Sequence, residues 1–202
     1  MRLRGSHADE RQHTVTRLFF AIALPDAVRR ELDGSLESIR GRIGNEIRWT
    51  PTHQLHVTLR FLGDVDAHRI PGLREAARAA VGARDPFRLS FAGLGAFPNL
   101  RRPKVIWLGV KPVPALVEVR AAVEEAVVSA GIERDARPFR PHVTLGRVRR
   151  TASAPAPFSG RGFDLVFGQT VRVDRVALVE SVLGRGGATH APVAEFPLGR
   201  RR

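Results

Sequence analysis

A chain of 202 residues, 43% of them hydrophobic, suffices for one compact domain or two small, closely packed lobes with a sizeable core. No stretch reaches the apolar length of a membrane span, no signal-peptide pattern opens the chain, and without cysteine there is neither a disulfide framework nor a thiolate metal site; a cytoplasmic address is the simplest expectation. The net charge of +13 favours an anionic partner, but Lys occurs only at Lys104 and Lys111, and the Arg-, Ala-, Gly-, Pro- and Val-rich composition can also reflect genome bias, so charge supports nucleic acid only in combination with a site.

Residues 1–16 are polar and aperiodic and read as a mobile tail, in which His7 and His13 are inert. From Arg17 to Leu24 the run is continuously apolar, a strand buried on both faces. Pro25 suits a first helical turn, and Val28, Leu32, Leu36 and Ile39 recur at helical spacing up to Gly41. Ile47-Arg48-Trp49 follows a loop at Gly44 and Asn45; His53 reads as a surface histidine because no third ligand follows at metal-site spacing. A strand through Leu62 ends at Gly63-Asp64. A helix then runs to about Val81 on Ile70, Leu73, Ala76, Ala77 and Ala80, with His68 a solvated histidine and Pro71 tolerable in a first turn. Phe87-Leu89-Phe91 alternates as a strand, Gly93 to Asn99 is a turn-rich connection, and Lys104 to Val110 a buried strand. Pro112 and Pro114 precede an amphipathic helix from Leu116 to Ala130, stopped by Gly131. Thr151 to Pro157 is a loop, Phe163 to Phe167 and Val171 to Leu183 are strands, the glycine-rich stretch 184–187 turns a hairpin, and Pro192 to Leu198 returns. The basic end, 199–202, frays. Residues 17–198 thus form a single domain.

One pattern stands apart. Leu55-His56-Val57-Thr58-Leu59 has a counterpart 86 residues later (142 − 56), Pro141-His142-Val143-Thr144-Leu145. In a strand, His and Thr fall on one face and the apolar residues on the other. A single His-x-Thr is more often a half-exposed strand with a satisfied histidine. Two copies in one frame, in a chain with seven histidines, form a constellation: two imidazoles for proton transfer and two hydroxyls for non-bridging phosphate oxygens.

These tetrads and their surroundings resemble the two-histidine (2H) phosphoesterases, and among them the bacterial RNA 2′,3′-cyclic phosphodiesterases, also called 2′-5′ RNA ligases. The 17–25 stretch RLFFAIALP resembles that family's opening strand, 55–63 LHVTLRFLG its first motif, and 105–110 VIWLGV its central strand; 137–147 RPFRPHVTLGR is similar to its second motif, and Glu180-Ser181 with Phe196-Pro197-Leu198 to its closing hairpin. The closing hairpin of many relatives carries a tyrosine where this chain has His190. Periodicity alone supports a mixed α/β or α+β chain. The resemblance implies a bilobal α+β fold with pseudo-twofold symmetry, two antiparallel-rich sheets lining a central groove and helices outside.

The resemblance also implies the chemistry: opening of an RNA 2′,3′-cyclic phosphate to a 2′-phosphate, with His142 as base toward water and His56 as acid toward the 3′ oxygen, although pseudo-symmetry allows the reverse. Thr58 and Thr144 bind the equatorial oxygens and Arg147 neutralises phosphate; Phe20, Arg137 and Phe139 match positions near the groove, where a base can stack, with core packing the favoured role for the two phenylalanines. No cofactor and no metal are expected, since two acid–base groups replace a metal and no carboxylate cluster or His-x-x-x-His is present. Run backwards, the same site joins a 5′-hydroxyl to a cyclic phosphate. The expected partner is RNA with a cyclic phosphate end, the expected state a monomer. The alternatives are a related 2H enzyme on cyclic nucleotides or ADP-ribose cyclic phosphate, a 3′-end exonuclease, or a non-catalytic RNA-binding module.

Overall fold

The structure, a computed structural model, describes residues 15–149, 165, 167–184 and 187–199. In chain order the elements are β1 (Val15–Ala23), α1 (Asp26–Ile43), β2 (Ile47–Trp49), β3 (His56–Asp66), α2 (Ile70–Gly82), β4 (Phe87–Phe97), β5 (Val105–Val110), α3 (Pro114–Ser129), β6 (His142–Val148), β7 (Thr170–Val173), β8 (Arg175–Gly184) and β9 (Gly187–Pro197). The fold is α+β.

The separate pair of sheets expected from the resemblance is replaced by one continuous path of antiparallel strands, β7-β4-β5-β6-β3-β1-β8-β9, with β2 added on β6. Two four-stranded halves meet where β3 and β6 pair at Val57 and Val143. The halves repeat each other in register. In β1–β3 the pairs are Ala23↔His56, Ile22↔Val57, Ala21↔Thr58, Phe20↔Arg60 and Phe19↔Phe61. Adding 86 to both members of each gives the five β5–β6 pairs: Gly109↔His142, Leu108↔Val143, Trp107↔Thr144, Ile106↔Gly146 and Val105↔Arg147. Each ladder carries the same bulge, with Leu59 in one and Leu145 in the other as the extra residue.

The helices sit where their apolar stripes predict. Leu32, Leu36 and Ile39 of α1, Leu73, Ala77 and Val81 of α2, and Leu116, Val123 and Val127 of α3 are buried in one core with Val57, Leu59, Val143 and Leu145. That burial turns the alternate residues of β3 and β6, the two His-x-Thr pairs, to the opposite face. Pro71 and Pro114 lie in the first turns of α2 and α3, where a missing N–H costs nothing.

Several boundaries differ from expectation. β1 starts at Val15, so Val15 and Thr16 belong to the strand; 1–14 of the expected tail lie outside the described residues, as do the 151–157 loop, most of 163–167, and 200–202. Leu165 and Phe167 are described and are not in a strand. β3 runs past Gly63, which takes φ 73°, to Asp66. The stretch Gly93 to Phe97 continues β4: Gly95 lies opposite Trp107, whose indole crosses the space a Cβ would fill. Val171 to Leu183 divides at Asp174 into β7 and β8, because β7 pairs with β4 and β8 with β1 and β9.

Gly146 sets how closely β2 approaches β6. A Cβ there would lie 2.5 Å from Ile47 Cγ2 and 3.0 Å from the Arg48 carbonyl oxygen. Gly146→Ala is therefore expected to cost roughly 1–3 kcal/mol, as overpacking against backbone does. Urea unfolding measures it; a wild-type midpoint would mean that β2 does not lie against this residue.

Candidate active site

The antiparallel pairing of Val57 with Val143 decides the site's layout. It sets His56 toward Thr144 and Thr58 toward His142, so the two histidines occupy diagonal corners. Diagonal neighbours across such a pair are about 7–8 Å apart, room for a tetrahedral group between them. All four side chains are partly buried.

Both rings are aimed in the same way. His56 Nδ1–H donates to the carbonyl of Gln54 at 2.7 Å, and His142 Nδ1–H to that of Arg140 at 2.6 Å, in each case two residues upstream. That bond fixes the tautomer and leaves Nε2 of each neutral imidazole as an acceptor. Nε2 of His56 accepts from the Thr58 hydroxyl at 3.0 Å. Burial is the main cause that lowers both histidines. His56 falls to about 4, the Gln54 bond opposing the shift and the His190 and His142 charges adding to it; His142 is lowered with the Arg140 bond opposing.

The walls differ. Phe19 lies 4.9 Å and His190 5.4 Å from the His56 ring, centroid to centroid. On the other side Phe97 is 5.0 Å and Trp107 6.0 Å from His142. Phe20 takes the core role favoured for it and not a place in the groove: it is fully buried and packs on Phe196, because alternation turns its neighbour Phe19 to the histidine face. Sequence reading assigned no site role to Phe19, Phe97 or Trp107, and marked His190 only as the place where many relatives carry a tyrosine. The place of all four depends on strand order, which no local pattern carries.

Arg147, five residues beyond His142, would fall on the opposite face by simple alternation. The bulge at Leu145 resets the parity and returns it, opposite Val105, to the face of His142 and Thr144. Its counterpart in the first half is Phe61, 55% exposed. A groove of about 580 Å³ opens beside the site, lined by residues that include Thr58, Phe61, Phe97, Arg137, Phe139 and His142. Arg137 is held at its edge by Asp135, which takes Nε at 2.8 Å and Nη2 at 3.0 Å, and Arg120 sits over the Phe139 ring at 5.7 Å. Beneath them Arg60, 8% exposed, donates through Nε to buried Glu124 at 3.0 Å and through Nη2 to the Glu133 carbonyl, pinning the 131–141 segment that leads into His142.

Arg48, Arg101, Arg102, Lys104, Arg140 and Arg147 make no ion pair among the described residues. His53 is exposed, and His68 is exposed in the short turn before α2. No group of three or more His, Cys, Asp or Glu suited to a metal ion occurs among the described residues, and no described helix is long and apolar enough to cross a membrane.

Comparison with known proteins converges on one family. The 2'-5' RNA ligase superfamily matches residues 24–185. The chain is 32% identical over 180 residues to the RNA 2',3'-cyclic phosphodiesterase of Archaeoglobus fulgidus (89% of this chain, 99% of the relative), and 33% identical over 190 residues to the protein of that name from Thermus thermophilus (90% of each). Among solved structures it is similar to TT0787 of Thermus thermophilus, with a TM-score of 0.78 at 28% identity over 92% of this chain and all of that one. E. coli LigT complexed with 3'-AMP gives 0.73 at 27% identity over 92% of this chain and 99% of that one. These matches share the curled antiparallel sheet with three helices.

Both site histidines take up protons less readily when folded than in an unfolded chain, where the value is about 6.5. Between about pH 6.5 and 4 the unfolded state therefore binds more protons, and stability should fall as pH drops through that window. His56→Gln, which cannot protonate, should flatten the fall in urea midpoint; an unchanged slope would mean that His56 is solvated and titrates normally.

Proposed function

The chain belongs to the 2'-5' RNA ligase superfamily, and from that premise we propose that it is an RNA 2′,3′-cyclic phosphodiesterase working by two-histidine acid–base catalysis. The observation that carries the reading is the pair of imidazoles on neighbouring antiparallel strands, each with Nδ1–H tied to a backbone carbonyl and Nε2 left to the cleft. A cyclic phosphate seated between them receives a water oxygen at phosphorus as one imidazole takes the water proton. The bond from phosphorus to the 3′ oxygen breaks, the other imidazole protonates that oxygen, and a 2′-phosphomonoester leaves. The order His142 as base and His56 as acid follows the family resemblance.

The electrostatics are compatible with that order once substrate is present. Burial and two neighbouring imidazoles deny His56 its proton in the free protein. A phosphate anion beside Nε2 favours the charged form and returns the proton. Thr58 and Thr144 donate to the non-bridging oxygens as charge builds there, and Arg147 adds a fixed positive charge on the same face. In reverse, a 5′-hydroxyl replaces water and a 2′-5′ linkage forms; dilute aqueous conditions favour hydrolysis.

His56→Ala or His142→Ala should each lower the rate of cyclic phosphate opening by roughly 10²–10⁴, the range for a positioned acid or base. The double variant should lose much less than the product of the two losses, since the residues act as a unit. Thr58→Ala and Thr144→Ala should each cost about 1–3 kcal/mol of transition-state binding, and His53→Ala little. Damage from His53→Ala equal to that of His56→Ala, with His142→Ala near wild type, would sink the paired mechanism.

On one flank Arg48 lies opposite Arg147 in the β2–β6 ladder and Lys104 immediately precedes β5, its carbonyl accepting from Val148 N–H; these three cations, without an ion pair among the described residues, suit a polynucleotide backbone. Affinity for a cyclic-ended oligonucleotide should fall with salt more steeply than affinity for a cyclic mononucleotide, because more phosphates are neutralised. Equal slopes would favour a nucleotide-sized substrate.

A further inference from the structure

His190 stands outside the two His-x-Thr motifs and outside both halves' repeated register, yet it touches the site. It lies on β9 across the ladder from Ser181, in the hairpin that returns beside β1. Its ring meets Phe19 edge-on at 5.0 Å (70°) and His56 edge-on at 5.4 Å (77°), while Phe19 and His56 are themselves 4.9 Å apart. Three rings thus close a triangle, and His56 has the other two for its packing on this wall. The buried Nδ1 of His190 has no hydrogen-bond partner among the described residues.

We propose that His190 is a positioning residue of this active site, which holds the His56 imidazole against Phe19 and adds to the environment that disfavours a proton on His56. The hydrogen bonds of His56 fix only two points of its ring, Nδ1 at Gln54 and Nε2 at Thr58. When phosphate takes the Thr58 hydroxyl, packing against Phe19 and His190 is what keeps Nε2 aimed. Among the described residues no carboxylate is paired with His190 or acts on its charge. The groups that face it are His56 from β3, His53 from the turn before β3, the apolar ring of Phe19 from β1 and the uncharged Ser181 from β8; Arg48 of β2 reaches the same hairpin at Gly187. None of these groups is a carboxylate. Burial and His53 lower His190 itself, so at neutral pH it is an uncharged wedge, and in acid it opposes the proton on His56.

The inference rests on His56 being one of the reacting pair, but its first test does not need turnover. Titration of His56 followed by NMR in His190→Asn, which keeps a polar group of similar reach without the charge, should give an acid-side shift relieved by about twofold or more in proton affinity. The shift at His142, which His190 reaches only through its coupling to His56, should be smaller. In turnover, the limb of the pH–rate profile belonging to His56 should move to higher pH, and the other limb should move less. His190→Ala should lower kcat by about tenfold with little change in KM, the sign of a misaimed group in the transition state. An unchanged His56 titration in His190→Asn together with wild-type kcat in His190→Ala would overturn the proposal. Loss of cyclic phosphate opening as an activity altogether, with the titration shift present, would instead overturn the functional reading and leave the role of His190 standing.

Discussion

The structure turns on one ladder pair, Val57 against Val143, where two four-stranded halves join. Both valines are fully buried in the core shared with the helices. Because side-chain direction has a period of two, a slip of one residue at this seam would exchange the faces of one strand relative to the other and turn its histidine and threonine into the core. The register is therefore defended by burial: Val57, Leu59, Val143 and Leu145 all have to face the helices. Backbone bonds on the flanks add to it, from Thr50 N–H to the Leu145 carbonyl and from Val110 N–H to the Pro141 carbonyl.

A second constraint lies under the groove. Arg60 occupies, in the first half, the core-side position that Gly146 holds in the second. In the second half that glycine admits β2; in the first, the guanidinium meets Glu124, and Asp135 more distantly at 3.9 Å. Glu124 stays charged, since the Asp135 backbone N–H, Arg120 and Arg60 outweigh its burial and keep it below the ordinary carboxylate range. A buried ion pair of this kind contributes little net stability compared with an apolar pair, but removing one partner is costly. Its consequence here is positional: the segment without regular structure from Ile132 to Pro141 is tied down just before Arg140, whose carbonyl orients His142.

The sequence made the seam legible and its surroundings much less so. The 86-residue spacing, the alternation of the tetrads and the helical stripes are local patterns, and each survives folding. What depends on bulges was not readable, since a bulge changes parity without a local signal strong enough to reveal it. Arg147 reaches the histidine face only because Leu145 is looped out of the ladder. Phe20 failed as a groove residue for the converse reason: in a run buried on both faces, composition cannot say which phenylalanine faces which side. Gly93 to Phe97 read as a turn because glycine is scarce in strands, and the indole that crosses Gly95 comes from another strand altogether. The resemblance marked His190 as a departure in the closing hairpin, but not its contact with His56, from which β8 and β1 separate it in the sheet.

Duplication alone would give two equivalent histidines, and equivalent groups share their protons equally, whereas acid–base chemistry at one phosphate requires one protonated and one free imidazole. The difference is introduced at positions around the repeated ladder pairs. Ala21 and Trp107 are equivalent, as are Phe61 and Arg147, and Phe19 and Val105. The first half thereby buries its histidine between Phe19 and a third imidazole, while the second sets its histidine between Trp107 and Phe97, with a guanidinium on the same face. Both rings keep the same tether to a carbonyl two residues upstream, so the divergence alters charge affinity and leaves aim intact. Like charges across the diagonal then do the rest: a proton on either ring disfavours a proton on the other, and the pair as a unit holds the single mobile proton that the proposed reaction consumes at one corner and regenerates at the other.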